Sequence, residues 1–251
     1  MPERLHLVKV PLRAAGLAGV ARRKHVPVYD VDEGYLAHCV MRELWQDAAP
    51  APFLLRGRGR TLEAWGYSRT AADDLVARAQ MCLPEQVACI EDLNDIASRP
   101  VPRLDPGRRI GFQLRACPVV RLASATHGHQ AGAEVDAFLA RCFSVPEDVT
   151  VAREHVYREW IARRLADESA VGAGLESVRV ASMTRECLVR RTRGEVRHAR
   201  RLERPDVRFE GVLVVSDPDR LLDCLARGIG RHRAFGFGAM MLVPPGSSWE
   251  R

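Results

Sequence analysis

The sequence predicts an α+β protein made of tandem ferredoxin-like (RRM-like) domains, each with the element order βαββαβ. Short apolar runs with strand-like composition alternate with segments of helical period. The same order occurs twice along 251 residues, although the two halves share no recognisable sequence identity. The predicted domains are residues 1–99 and 108–251. Residues 100–107 are the predicted linker, because proline can neither continue a helix nor pair centrally in a sheet.

The first half begins with a strand at residues 5–12, where side chains alternate as a strand requires. Residues 30–33, Asp-Val-Asp-Glu, start a helix that runs to about Trp45. A hairpin, a second helix and a fourth strand complete the unit. Their predicted ranges are 53–56 and 61–67 for the hairpin, 71–81 for the helix and 86–93 for the fourth strand.

The second half has the same order. Its predicted elements are strands at 110–122, 178–191 and 207–215 and a helix at 147–166. Asp217 and Pro218 then begin a C-terminal helix, since an acidic cap and a proline in the first turn are typical of a helix start. This helix ends at Gly228, and the apolar run 239–243 forms the last strand.

Arginine dominates the charged residues. The 38 Lys and Arg residues exceed the 32 Asp and Glu residues, which gives a net charge of +6 and an isoelectric point near 9.2. Only Lys9 and Lys24 are lysines. The guanidinium group binds phosphate through two parallel hydrogen bonds and stacks on bases, so this bias favours a nucleic-acid partner. A genome rich in G and C would also enrich arginine, and composition alone leaves both explanations open.

The cysteines indicate a reduced, intracellular protein. None of the seven belongs to a Cys-x-x-Cys pair, and most lie in apolar surroundings. The sequence has no signal-peptide pattern and no apolar stretch long enough to span a membrane, so we expect a cytoplasmic protein with no membrane partner. The cysteines are Cys39, Cys82, Cys89, Cys117, Cys142, Cys187 and Cys224.

A glycine-rich stretch near the C-terminus is the densest motif. Two glycine pairs, Gly228 with Gly230 and Gly236 with Gly238, flank Arg231-His232-Arg233, a combination that suits a polyanion. The stretch lacks the third glycine of a dinucleotide-binding fingerprint and the Lys-Ser/Thr of a phosphate-binding P-loop. We expect a surface loop with positive φ at its glycines, in which backbone N–H groups reach phosphate.

With its flanking elements, this stretch resembles the CasE family, the CRISPR-associated repeat-processing endoribonucleases of subtype I-E. Residues 210–244 follow the family pattern: EGVL, a short helix, GIG, a few residues, GxG, and an apolar strand that ends in proline. Residues 112–118 also match the family's FxLRANP strand, with Cys117 in place of asparagine.

The resemblance implies a metal-independent endoribonuclease without a cofactor. Such an enzyme cuts CRISPR precursor RNA at the base of each repeat hairpin and leaves a 5′-hydroxyl and a 2′,3′-cyclic phosphate. Its expected partners are the repeat hairpin, in precursor and mature guide RNA, and the other subunits of the surveillance complex Cascade.

The helix that ends near Trp45 carries the candidate catalytic residues. At 100° per residue, Leu36, Val40 and Leu44 form an apolar stripe, and Tyr35, His38 and Arg42 fall together on the opposite side. Metal-free RNA cleavage needs proton transfers near neutral pH, which histidine can perform.

The resemblance implies that His38 is the acid/base residue and Tyr35 a positioning group or transition-state donor. Arg42 is placed by helix geometry to hold the scissile phosphate. A basic insert, residues 13–27, precedes this helix, so His25 is the reserve candidate. A Tyr-x-x-His pair on a surface helix is more commonly part of a solvated face. The matches to the family pattern at residues 112–118 and 210–244 favour the catalytic interpretation over this one. His127 and His129 lack a third ligand at zinc spacing, and no metal site is predicted.

A run of arginines between two predicted strands indicates a basic hairpin. The resemblance implies that this hairpin enters the groove of the repeat stem, where base-paired RNA offers mainly shape and phosphate. The predicted RNA-binding residues are Arg190, Arg191, Arg193, Arg197, Arg200 and Arg201 in the hairpin, and Gly228, Gly230, Arg231, His232, Arg233, Gly236 and Gly238 in the glycine-rich stretch.

Two other function classes share part of this pattern. A non-catalytic subunit that binds an RNA hairpin would need the same basic surfaces and differs only in the absence of cleavage. A cyclic phosphodiesterase with paired His-x-Ser/Thr motifs is strongly disfavoured, because none of the eight histidines has Ser or Thr two residues later.

Overall fold

The computed structural model describes residues 4–23, 32–57, 61–146, 148–191 and 199–249. Within these ranges the chain forms two four-stranded antiparallel sheets and one two-stranded ribbon. Among the described residues, no helix combines the length and the apolar character needed to cross a bilayer. The seven cysteines all lie in the described ranges, and none forms a disulfide.

The first half contains one of the four-stranded sheets. In chain order its elements are β1 (His6–Arg13), α1 (Ala14–Arg23), α2 (Glu33–Trp45), β2 (Phe53–Arg56), β3 (Thr61–Ser68), α3 (Ala72–Gln80), α4 (Pro84–Val87) and β4 (Ala97–Pro100). The strand order across the sheet is β2-β3-β1-β4, which places the first and third strands of the βαββαβ unit at the centre.

The second half repeats this arrangement and adds a ribbon. Its elements are β5 (Arg109–Ala116), β6 (Val119–Arg121), β7 (Glu134–Asp136), α5 (Ala137–Cys142), α6 (Arg153–Leu165), α7 (Glu168–Val171), β8 (Ala173–Arg191), β9 (Ala199–Val215), α8 (Pro218–Arg227) and β10 (Met240–Val243). The strand order is β10-β5-β9-β8, and β6 pairs with β7 in a separate two-stranded ribbon. Both sheets therefore share one topology, and the predicted α+β fold of tandem ferredoxin-like units is confirmed.

The predicted fourth strand at residues 86–93 is wrong. Pro84 starts the short helix α4 there, as a proline in the first helical turn allows, and the strand is instead Ala97–Pro100, paired with β1. This strand is mostly exposed and lies at the sheet edge, where proline is tolerated because its missing N–H faces away from a partner. The predicted linker thus begins inside the sheet, and the exact domain boundary stays a prediction.

Two other predicted elements differ in extent. The strand predicted at 110–122 is divided at Cys117-Pro118, where proline offers no N–H to a ladder. The helix predicted from residue 147 begins only at Arg153, because Val149, Thr150 and Val151 are β-branched and disfavour helix. In addition, helix α1 was not predicted, since its small residues give no strong periodicity.

The core crosses from one half of the chain to the other. Leu5, Leu54 and Tyr67 of the first half are buried in the same apolar cluster as the second sheet and helices α6 and α8. The Tyr67 hydroxyl also donates a buried 2.6 Å hydrogen bond to the carbonyl oxygen of Met240 in β10. The two sheets are thus held together by apolar contact and by a buried hydrogen bond.

The glycine loop, residues 228–238, lies partly within this interface. Its glycines at 228, 230, 236 and 238 all have positive φ, as predicted. The expectation of a surface loop is wrong for Gly236 and Gly238, which are buried. A Cβ at Gly228 would lie 2.6 Å from Pro52 Cγ of the first half, and one at Gly238 would lie 2.7 Å from the Ile229 carbonyl oxygen. These glycines are required by packing as well as by conformation.

We expect Tyr67→Phe to lower the free energy of unfolding by about 1 kcal/mol, because it removes one buried hydrogen bond and keeps the ring in the core. For a chain of this size, that loss corresponds to a fall in Tm of roughly 2–4 °C. Thermal unfolding followed by circular dichroism measures it. An unchanged Tm would contradict a stabilising role for the Tyr67–Met240 bond.

We expect Gly238→Ala to destabilise the protein more than Gly246→Ala. Both glycines have positive φ, so alanine introduces similar backbone strain, of about 1 kcal/mol, at either position. Only at Gly238 does the new methyl group meet backbone, whereas the space around Gly246 is open. Equal Tm values for the two variants would show that the close packing at Gly238 contributes nothing.

Candidate functional site

Helix α2 carries the candidate catalytic residues and is fixed at its start by Asp32. The Asp32 side chain caps the helix, since its Oδ1 accepts a 3.2 Å hydrogen bond from the Tyr35 backbone N–H. Burial raises the pKa of Asp32 to about 6, in spite of that bond and the nearby charge of Arg115. Leu36, Val40 and Leu44 are buried, as the predicted stripe requires.

The three candidate side chains lie on the less buried part of the helix. Tyr35 and His38 are half-buried, and Arg42 is exposed. Burial and then the positive charge of Arg42 lower the pKa of His38, so its imidazole is neutral at pH 7 and able to accept a proton. Arg42 donates from one guanidinium nitrogen to the Gln46 carbonyl oxygen at 2.8 Å and to Asp47 Oδ1 at 2.9 Å. The catalytic roles of these residues stay predictions.

The glycine loop packs directly against this helix. The ring of Phe235 stacks on the ring of Tyr35, with 5.4 Å between centroids and 24° between planes. A Cβ at Gly34 would lie 2.4 Å from the Phe235 carbonyl oxygen, so the two backbones are in close contact. Phe235 and Phe237 form a small buried cluster with Cys117, Val119 and Leu188, residues of the second half. The position of Tyr35 is therefore tied to the second domain through Phe235.

His232 of the glycine loop is held by a carboxylate. Its Nε2 lies 2.6 Å from Glu134 Oε1, and its φ of 62° is left-handed. Burial by itself would raise the pKa of Glu134, yet the hydrogen bond from His232 and the charges of Arg204 and Arg231 hold it below its usual value. His232, predicted to contact RNA, is thus engaged within the protein. The sequence contained no signal for Glu134.

Arg115 is a second residue that the sequence did not single out. Its side chain is only 13% exposed, and it pairs with Asp206 at 3.0 Å and Glu186 at 3.1 Å. Its guanidinium carbon also lies 4.3 Å from the centroid of the Phe237 ring. Arg115 belongs to the predicted FxLRANP-like strand, so the motif could have indicated it, although not its partners.

The predicted basic hairpin coincides with the far ends of β8 and β9. The two strands pair over most of their length, from Ala173 opposite Val215 to Arg191 opposite Ala199. Arg190 lies opposite Arg200, and Val189 opposite Arg201, so four of the predicted arginines are on the strand ends. Arg193 and Arg197, with the reserve candidate His25, lie outside the described residues.

No group of three or more His, Cys, Asp and Glu side chains is arranged to hold a metal ion in the described part of the chain. Among the other histidines, His127 stacks on Phe143 with 4.3 Å between ring centroids, and His129 is also near this ring. Both histidines lie in the connection between β6 and β7.

Comparison with known proteins identifies relatives over almost the whole chain. The sequence model of the family described as "CRISPR associated protein" matches residues 5–244. The CRISPR-associated endoribonuclease Cse3 of Thermus thermophilus is 30% identical over 149 residues, which cover 57% of this chain and 59% of that protein. The match therefore spans less than two thirds of this relative.

Solved structures share the fold. A structure of CRISPR endoribonuclease Cse3 bound to 19 nt RNA aligns with a TM-score of 0.62 and 24% identity, over 96% of this chain and 100% of the other. A chain of a CRISPR RNA-guided surveillance complex aligns with a TM-score of 0.52 and 17% identity, over 96% of this chain and 99% of the other. The resemblance to the CasE family is thus confirmed, and this chain belongs to the family of CRISPR-associated proteins.

Proposed function

We propose that this protein is a metal-independent endoribonuclease that cuts CRISPR precursor RNA at the base of each repeat hairpin. The observation that carries the proposal is the half-buried His38, whose lowered pKa keeps it neutral, three residues after a tyrosine fixed by Phe235. Further support comes from the 30% identical Thermus relative, which is named an endoribonuclease, and from the Cse3 structure bound to RNA.

In the proposed reaction, the 2′-oxygen attacks the adjacent phosphorus and the bond from phosphorus to the 5′-oxygen breaks. The 2′-hydroxyl loses a proton and the leaving oxygen gains one, so the products are a 2′,3′-cyclic phosphate and a 5′-hydroxyl. His38 performs one of these proton transfers, and its lowered pKa suits acceptance. Tyr35 donates a hydrogen bond to the phosphate in the transition state. Arg42, once released from Asp47, offsets the negative charge of that phosphate.

The long β8–β9 hairpin and the glycine loop are proposed to bind the repeat stem. Arginines on the hairpin ends would contact phosphates of base-paired RNA, where the groove offers little sequence information. The similarity to a chain of a surveillance complex supports retention of the protein on mature guide RNA, as a subunit of Cascade. Because its proposed substrate is an RNA transcript, we also propose a cytoplasmic location.

A non-catalytic hairpin-binding subunit is the second candidate. The observation that favours it is Arg42, which already donates to Asp47 and to the Gln46 carbonyl oxygen and would have to leave these partners to hold a phosphate. Cleavage of a repeat hairpin by the purified protein distinguishes the two.

We expect His38→Ala to slow cleavage of a repeat-hairpin RNA by roughly a hundred- to ten-thousand-fold, the usual contribution of general acid/base catalysis. The Kd for the hairpin should change only a few fold, because proton transfer contributes little to ground-state binding. The measurements are single-turnover rates and a binding isotherm.

His155→Ala, which removes an exposed histidine of α6 that pairs with Glu159, is the matched control and should retain full activity. Full activity of His38→Ala, together with loss of activity in His25→Ala, would show that His25 is the acid/base residue. A rate abolished by EDTA would contradict the metal-independent mechanism.

We expect Phe235→Leu to reduce the single-turnover rate by roughly tenfold or more with little change in Kd, because the stacked ring positions Tyr35. Phe237→Leu is the matched control: it makes the same change in the same loop, at a fully buried ring that packs on Arg115. It should lower Tm but retain most of the rate.

Combination with Tyr35→Phe tests how Phe235 acts. If Phe235 acts through the Tyr35 hydroxyl, the double variant should be no slower than Tyr35→Phe alone. Fully additive losses, or equal rates for Phe235→Leu and Phe237→Leu, would show that Phe235 contributes only to loop stability.

A further inference from the structure

We propose that an open cleft behind the glycine loop is a second phosphate-binding site, which holds backbone phosphates of the bound RNA away from the scissile bond. The inference rests on the proposed function. The cleft has a volume of about 670 Å³ and is lined by Arg121, Glu134, Arg164, Gly230, Arg231, His232 and Arg233. Arg121 and Arg164 were not among the predicted RNA-binding residues.

The charges in this cleft are not balanced within the described part of the chain. Glu134 is its one lining carboxylate, and it lies 2.6 Å from His232, 3.4 Å from Arg204 and 3.6 Å from Arg231. No ion pair with a described carboxylate involves Arg121 or Arg164. The cleft therefore presents uncompensated positive charge, and an anion would stabilise it.

The planar guanidinium of Arg164 is held in an orientation that leaves it able to bind an anion. Its guanidinium carbon lies 3.6 Å from the centroid of the Trp160 ring, and one nitrogen donates to the Trp160 carbonyl oxygen at 3.2 Å. Burial and then the neighbouring charge of Arg231 lower the pKa of Arg164 to about 10, so it stays charged at pH 7 without a counter-charge. A guanidinium already fixed in one orientation loses little entropy when it binds phosphate.

The surroundings of the cleft favour RNA as its occupant over an acidic protein. Glu134 connects it to Arg204 of β9, and β9 continues into the predicted basic hairpin. On its other side, Phe235 separates the cleft from Tyr35 of helix α2. The cleft thus lies between the proposed stem-binding hairpin and the proposed cleavage site, where the backbone of one RNA would pass.

The experiment measures the affinity of a repeat-hairpin RNA as a function of salt for Arg164→Ala and Arg121→Ala. Each variant should bind several-fold more weakly, and its slope of log affinity against log salt should decrease by about 0.7 to 0.9, the effect of one lost phosphate contact. Single-turnover cleavage at saturating protein should be unchanged. Arg164→Lys should keep the slope and recover only part of the affinity, because the fixed planar group is lost.

The matched control is Arg163→Ala, which removes the same charge from the preceding residue of α6, where the side chain is exposed and pairs with Glu159. Its salt slope should equal that of the wild type. Wild-type salt slopes for both cleft variants would overturn the proposal. Unchanged RNA binding combined with impaired assembly into a surveillance complex would also overturn it, because the occupant of the cleft would then be a protein. If the wild type neither binds nor cuts the hairpin, the proposed function itself fails.

Discussion

The largely buried side chain of Arg115 provides the contacts on which the arrangement of the strands around the glycine loop depends. It pairs with Asp206 of β9 and Glu186 of β8, and it lies over the ring of Phe237. The backbone carbonyl oxygen of Arg115 accepts a 2.8 Å hydrogen bond from the Gly238 N–H. One residue thus joins three strands to the glycine loop. Removing one partner of such a buried pair costs more than the pair itself contributes, because a charge is left uncompensated.

The glycine loop has a different role from the one its composition indicates. Its positive-φ glycines allow the chain to turn between Ile229 and Gly238, whose backbones are hydrogen-bonded at 2.9 Å. This turn brings Phe235 onto Tyr35, and the lack of a side chain at Gly34 lets the Phe235 carbonyl approach helix α2. The loop therefore acts first as a packing element between the two halves. Part of the loop also lines the proposed phosphate-binding cleft, together with Arg121 and Arg164.

Sequence reasoning predicted elements whose signal is local. The apolar stripe of α2 and the proline-initiated helix α8 depend on side-chain spacing and capping, which neighbouring residues decide. It failed for β4, where the strand is short, edge-placed and mostly exposed, so no alternation marks it. For the candidate site, the sequence brought Tyr35, His38 and Arg42 together on one helix. It did not indicate that Asp47 already binds Arg42, since that contact depends on how the helix ends.

The sequence by itself determined the repeated βαββαβ order, the family resemblance and the type of chemistry available, because these depend on residue identity and on spacing along the chain. Only the tertiary structure decided which charged side chains are already paired with an opposite charge. Glu134 and His232 are 98 residues apart and meet at 2.6 Å, while Arg164 has no carboxylate partner among the described residues. Charge compensation depends on distances between segments remote in the chain, and such distances are set by the packing of the two halves.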